Sequence, residues 1–273
     1  MSARGPFNLH ARPKKWLQTV LSFLLFALCL GLYQVTAMVR HAENPQDKIV
    51  PTFGEMAEGV KRSAFEPDRD GEIRLLVDTI ASLKRFFISL ALLIPAVILG
   101  LYMGVFPYFE LLFLKFTTFF DKIPALAILP ILFIIFGLGE VSKVALILIG
   151  VFPTITLDAY LRAKEVPREQ LTKGLTLGAS HHEISLRIVL PQILPAVLNT
   201  IRLNFKAMIL FLIAGESLAA TVGLGYRIFV VRRYMAMDII IPYVVWMSLL
   251  AVGADLFVRF YIRKRYPWAT VNK

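Results

Sequence analysis

Apolar residues along this chain fall into blocks about as long as a membrane crossing, separated by polar segments. The first block covers residues 17–39. Others cover 86–106, 123–136, 141–160, 193–214 and 239–261, the third reaching back into an aromatic run at 109–120. A helix rises about 1.5 Å per residue, so about 20 apolar residues cross the hydrocarbon core. The pattern predicts an all-α, polytopic integral membrane protein with about six transmembrane helices. Two polar segments stand out between the blocks, 40–82 and 162–192.

The second segment is unlike an ordinary connection. Pro167 suits the first turn of a helix, where its missing N–H costs nothing. Leu171 and Leu175 follow on one face, and Gly178 is placed to take the left-handed conformation that ends a helix. Ser180 and Glu183 have the spacing of a capping box, which starts a second helix running to about residue 190 with Ile184 and Ile188 on one face. Pro191 and Pro195 mark the start of the fifth span. Two short amphipathic helices outside the lipid need something to cover their apolar stripes. Headgroups and a cytoplasmic partner both meet that need.

Composition supports the membrane reading. Of 273 residues 57% are hydrophobic and 18% charged, against about 25% charged in soluble domains. A net charge of +11 would suggest nucleic acid in a soluble protein; in a membrane chain Lys and Arg gather in cytoplasmic segments instead. The first 16 residues carry Arg4, Arg12, Lys14 and Lys15 and no acid. The apolar block after them exceeds the roughly 7–15 residues of a cleavable signal, so it reads as a retained span with its N-terminus in the cytoplasm. Residues 40–82 hold six Lys or Arg against nine Asp or Glu, as expected of an outer loop, with a turn at 68–71. The tail carries Arg259, Arg263, Lys264 and Arg265 after the last acid, Asp255. It belongs in the cytoplasm, which favours six spans over five. This count sets a basic N-terminus at 1–16, a first span at 17–39, an outer loop at 40–82, a membrane domain at 83–262 and a basic tail at 263–273. The 162–192 loop then faces the cytoplasm. Arg227, Arg232 and Arg233, between spans five and six, run against the charge rule.

Few residues suggest chemistry. Cys29, the single cysteine, sits in an apolar block and excludes an internal disulfide or cysteine-based metal site. No phosphate-binding Gly-x-x-x-x-Gly-Lys-Ser/Thr loop occurs, so the chain is not expected to bind ATP or another cofactor. His181 and His182 point about 100° apart on a helix and make a poor metal pair. Gly100 and Gly104 form a small-xxx-small pair suited to close helix approach. Pro124, Pro130 and Pro153 read equally as kinks that rock or as tolerated prolines. Asn199, Arg202 and Lys206 share one face early in the fifth span, where charge faces a bundle interior or water. They suit an anionic solute on its path or simple snorkelling to the interface. Glu216 ends that span, and Gly223 and Gly225 punctuate the loop after it.

The cytoplasmic loop resembles the signature loop of the membrane subunits of binding-protein-dependent ABC importers: Glu-Ala-Ala, three residues, Gly, nine residues, Ile-x-Leu-Pro. Gly178, Ile188, Leu190 and Pro191 match in identity and spacing. Thr172, Lys173 and Gly174 stand where Glu, Ala and Ala are usual. From about Asp78 to Trp268 further segments are similar to the nitrate, sulfonate and taurine branch: Ser82-Leu83-Lys84-Arg85, the 123–130 and 136–139 stretches, Ala214-Gly215-Glu216, Gly223-Leu224-Gly225 and Tyr266-Pro267-Trp268. The resemblance implies a non-catalytic permease of the bacterial inner membrane. It implies as partners a dimer of ATPase subunits, which hold the ATP, an extracytoplasmic solute-binding protein and a second permease copy in the lipid. It assigns Thr172, Lys173, Gly174, Gly178, Ala179, Ser180, Glu183, Ile188, Leu190 and Pro191 to ATPase coupling. A translocation path would involve Asn199, Arg202, Lys206 and Glu216. A stand-alone secondary transporter or channel is the alternative, and it would show inverted repeats and paired carboxylates deep in a span. A membrane-embedded enzyme would need a cluster of Asp, His or Ser. Neither pattern occurs.

Overall fold

The computed structural model describes residues 14–45, 47–68 and 71–269. Most of the basic N-terminus (1–13), two positions of the expected 68–71 turn and the last four residues of the tail lie outside the described residues. Among the described residues thirteen α-helices follow in order: α1 Lys15–Glu43, α2 Phe53–Ala64, α3 Arg74–Ala91, α4 Ile94–Val105, α5 Pro107–Asp121, α6 Ala125–Phe136, α7 Glu140–Glu165, α8 Arg168–Thr176, α9 His181–Glu183, α10 Leu190–Leu203, α11 Phe205–Ala219, α12 Leu224–Arg232 and α13 Met237–Arg265. A π-helical turn, Ile184–Val189, joins α9 to α10, and a 3₁₀ turn, Pro267–Ala269, follows α13.

Among the described residues five helical stretches are long and apolar enough to cross a membrane singly, and two bent pairs qualify jointly. The expected six falls within this range of five to seven. The bends are where the sequence pattern misled. The third span is a pair, α5 and α6, meeting at 100° beside Pro124, whose N–H is missing and whose φ is fixed. At the second span, α3 begins at Arg74 rather than near residue 86, so part of the supposed outer loop is helix. Pro95 at the start of α4 accounts for the break after Ala91: its ring excludes the carbonyl one turn earlier. The expected fifth span, 193–214, falls on two helices, α10 and α11, with Asn204 between them: the stretch His181–Leu203 qualifies singly, and α11 forms the second bent pair with α12, at 55°. Hydrogen bonding carries on through this joint, from Asn204 N–H to the Thr200 carbonyl at 3.1 Å and from Met208 N–H to the Asn204 carbonyl at 2.9 Å.

The body is organised around α7, which packs against α3, α4, α5, α6, α10 and α11. The closest seam is with α4. A Cβ on Gly100 or Gly104 would run into Thr156, Ala159, Tyr160 and Ala163 of α7, so the small pair lets these two helices touch backbone to side chain. Leu101, Ile147, Val151, Ile155 and Ala159 are fully buried along this seam.

The outer loop also contains structure that its polar composition hid. Helix α2 starts at a capping box, Glu55 N–H donating to Thr52 Oγ1 while Thr52 N–H donates to Glu55 Oε2. It lies against α13: Gly59 sits on the Asp238 carbonyl, and Arg62 pairs with Asp238 at 2.6 Å. Helix α1 meets α2 near its outer end. There Tyr33 stacks on Phe53 at 5.8 Å and donates to the Pro51 carbonyl at 2.8 Å.

Candidate functional site

Three arrangements of polar residues emerge: an exposed two-helix element, a buried charge network, and a charged groove midway along the fifth span.

The first is the 168–190 segment. Helix α8 ends in a Schellman arrangement. Gly178 N–H donates to the Leu175 carbonyl at 2.9 Å, and Ala179 N–H to the Gly174 carbonyl at 3.1 Å. Gly178 holds φ +85° with nothing within 4 Å of a Cβ position, so glycine is needed there for its backbone conformation and not for space. Ser180 then caps α9: Glu183 N–H reaches Ser180 Oγ at 3.2 Å and Ser180 N–H reaches Glu183 Oε2 at 3.0 Å. Stop and start signals thus fall where the sequence put them, although Pro167 is the N-cap and not the first helical residue.

Two details differ from expectation. The inward stripe of α8 is Leu171 with Gly174, not Leu171 with Leu175. Gly174 is buried, and a Cβ there would lie 3.0 Å from Ile188 Cδ1 and 3.1 Å from Ile184 Cγ1. The second helix also widens into a π turn over Ile184–Val189, with Leu190 N–H bonded to the Ser185 carbonyl. Pro191 follows immediately. A proline clashes with the carbonyl four residues back, and a wider turn relieves that clash. Gln192 of α10 donates to Gln170 of α8 at 2.8 Å, and His182 meets Tyr102 of α4 at 3.3 Å. The element is therefore fixed to the membrane body from two sides. Thr172, Lys173, Ser180, Glu183 and Pro191 face outward, Ala179, Ile188 and Leu190 are partly buried against the body, and Leu177 at the tip is 88% exposed.

The second arrangement was only partly visible in the sequence. Glu216 is fully buried. It accepts hydrogen bonds from Ser82 Oγ at 2.7 Å, Arg85 Nη1 at 2.7 Å and Gly225 N–H at 2.8 Å. Arg85 also grips Glu140 with two bonds of 2.6 and 2.8 Å and donates to the Val222 carbonyl at 2.9 Å. Lys143 adds a contact to Glu140 at 3.0 Å. Next to this, buried Asp78 accepts from Gly223 N–H at 2.9 Å, Arg227 Nε at 2.8 Å and Tyr243 Oη at 3.3 Å. Leu224 N–H donates to Ser82 Oγ at 2.9 Å. The first amides of α12 thus point at side chains of α3 and α11, and the helix dipole favours the carboxylates among them. Gly223 has φ +139°, and its Cβ would fall 2.6 Å from Glu216 Cδ and 2.8 Å from Arg85 Nη1. At Gly225 a Cβ would fall 2.8 Å from Ile213 Cα. Both glycines are demanded by this close approach.

The network unites three segments read separately in the sequence: 82–85, 214–216 and 223–225. Sequence reasoning gave no role to Arg85, Asp78, Glu140 or Lys143. Their signal was present as ionisable residues in or beside apolar runs, which must find partners. Arg227, which opposed the charge rule, has its charge matched by Asp78.

The third arrangement separates Glu216 from the other residues of the expected path. Arg202 donates to Asn199 Oδ1 at 2.7 Å and pairs with Asp255 of α13 at 2.6 Å, while Arg259 takes the other Asp255 oxygen at 2.8 Å. Lys206, one turn further out, is exposed and has no hydrogen bond or ion pair among the described residues.

The fold is an all-helical, multi-pass membrane body that carries an exposed two-helix element fastened to it from two sides. Residues 96–265 match the family described as binding-protein-dependent transport system inner membrane component, and the chain belongs to that family. It is similar to the taurine transport system permease protein TauC of Escherichia coli, 29% identical over 189 residues covering 69% of each chain. An ABC transporter permease protein of Methanocaldococcus jannaschii is 30% identical over 204 residues, 73% of this chain and 75% of its own length. An aliphatic sulfonates transport permease protein, SsuC of Bacillus subtilis, is 27% identical over 146 residues, 54% and 53% of the two chains.

Proposed function

We propose that this inner-membrane permease conducts a small organic solute with an anionic sulfonate head, of the alkanesulfonate or taurine kind, delivered by an extracytoplasmic binding protein. The reading rests on relatives named for taurine and for aliphatic sulfonates, together with one observation in this chain: the unpaired cationic Lys206 on the face that also carries Arg202. Two copies of the chain enclose the path. ATP is bound and hydrolysed on a separate ATPase pair, which docks on α8 and the π turn. Leu177 at the exposed tip is the apolar anchor of that dock, with Thr172 and Lys173 beside it in place of a carboxylate grip. Glycine at 178 and the Gly174–Ile184–Ile188 contact make the element stiff enough to transmit a movement, because coupling needs a part with different contacts in two states.

The test is reconstitution of the chain with its ATPase and binding protein in liposomes. ATP-dependent accumulation of labelled taurine or an alkanesulfonate is expected, with uptake lost when either partner is left out. Uptake by the permease alone on an ion gradient would overturn the reading. A solute with no anionic head taken up in place of the sulfonates would overturn its anion part.

A further inference from the structure

We propose that the groove between the α10–α11 joint and α13 is a water-filled anion site at mid-membrane, and that Lys206 sets its charge selectivity. The proposal rests on the anion-importer reading above and supplies the residue responsible.

Depth is the first argument. Lys206 shares the groove with Val244, Met247, Ser248, Ala251, Val252 and Asp255 of α13, a helix long and apolar enough to cross singly. At about 1.5 Å per residue the middle of these positions lies about 20 Å from either end of Met237–Arg265. A hydrocarbon core is about 30 Å thick, so Lys206 sits near its middle, too deep for a lipid phosphate to meet the ammonium without strong distortion. Phosphate of the bilayer surface is thereby disfavoured as the partner of this charge.

Charge is the second. The ionisable groups facing the groove are Arg202, Lys206 and Asp255, with Arg259 on the second Asp255 oxygen. Asp255 is fully occupied by the two arginines, and Arg202 is further held by Asn199. Lys206 keeps its donors free among the described residues. Two positive charges therefore go unmatched in the group, and the one with room to reach a ligand is the lysine.

Shape is the third. The cavity holds about 500 Å³, and its other walls are apolar or small, including Ile209, Ile213, Val244 and Met247, with the Ser248 hydroxyl on the α13 side. A single cation in an apolar trough fits a ligand with one anionic head and a short carbon body. It also suits passage, since one ammonium holds an anion less firmly than an arginine fork. Open laterally on this chain, the trough becomes a conduit when a second permease faces it.

The test uses the whole reconstituted complex with Cys29→Ser, which leaves this chain without a native thiol, and labelling is read on this chain alone. In that background Ser248→Cys is treated with the membrane-impermeant reagents ethylsulfonate- and ethyltrimethylammonium-methanethiosulfonate. We expect the thiol to react with the anionic reagent at least ten-fold faster than with the cationic one. Adding Lys206→Met should abolish that preference, and Lys206→Arg should keep it. Lys206→Met alone should raise the KM for alkanesulfonate uptake about ten-fold. No reaction with either reagent would show a lipid-filled groove, and a preference unchanged by Lys206→Met would remove the lysine from the site; either overturns the proposal. A complex that ignores taurine and alkanesulfonates yet shows the lysine-dependent labelling would overturn only the solute reading.

Discussion

Arg85 shows how much one residue carries in a low-dielectric body. Its guanidinium meets Glu216, Glu140 and a backbone carbonyl, so its removal strands a fully buried carboxylate. Breaking one side of a buried pair costs about 3–5 kcal/mol, whereas removing both partners costs far less. Arg85→Ala is therefore expected to lower the thermal stability of the detergent-solubilised protein sharply. Arg85→Ala with Glu216→Ala should be less damaging than the single arginine change. Melting curves of the two singles and the double form the cycle that checks this, and simple additivity would refute the coupling. Gly223→Ala belongs to the same site. With φ +139° and a Cβ 2.6 Å from Glu216 Cδ, it should destabilise although it adds a single methyl. The Ser-Leu-x-Arg and Gly-Leu-Gly segments were legible as motifs, but not their mutual contact. Local spacing carries no information on which residues more than a hundred positions apart will meet. The need for partners was legible, because a charge in an apolar run demands one.

At the scale of elements, the 168–190 segment was the most readable part of the chain. Its signals are local: a glycine free to take positive φ, and a Ser–Glu pair three apart. Gly178→Val must place a β-branched residue in the left-handed region, at a cost of roughly 1–2 kcal/mol. We expect normal membrane insertion but loss of ATP-coupled uptake. Unchanged uptake with unchanged ATPase binding would refute the hinge role. Gly174 makes a finer test. Alanine there would press on Ile188 Cδ1 and on Cγ1 and Cδ1 of Ile184, at 3.0–3.3 Å, and should cost only a small shift of these side chains. Leucine should lever α8 off the π turn and weaken ATPase co-purification. Less legible were the places where a helix changes character without a polar break. The 100° corner between α5 and α6, the joint at Asn204 and the π turn before Pro191 all lie within or beside apolar runs, and hydrophobic periodicity sees only the run. The prolines marked two of these sites, but a proline predicts a disturbance without its form.

The whole molecule divides into a tightly packed body and an outer attachment. The body is α3–α13 around α7. The attachment is α1 and α2, held through α2 at Gly59 and Arg62 on Asp238 and fastened to α1 around Tyr33, Arg40 and His41. The long apolar flank of α1 is almost wholly exposed, with only 6% of its most apolar window buried, so its position depends on this outer fastening and on the bilayer. Two carboxyls in it are held below their ordinary range. The Arg40 guanidinium and the Ile49 amide lower Asp47, and the Thr52 amide and hydroxyl lower Glu55. A carboxyl with a depressed folded pKa stabilises above its unfolded pKa, and that contribution disappears as pH falls through the folded value. The fastening should therefore loosen in acid, below about pH 4. Gly59→Leu should produce the same loosening at neutral pH, because Gly59 lies directly on the Asp238 carbonyl. Hydrogen exchange checks both: amides of residues 47–64 should exchange faster at low pH or in the variant, while those of α4 and α7 stay protected. Equal deprotection of α7 would mean that the outer attachment and the body unfold as one unit. Faster exchange confined to α2 and its flanks would show instead that the outer face can move while the α4–α7 seam stays closed. A transporter that must receive solute on one side while gripping an ATPase on the other requires that independence.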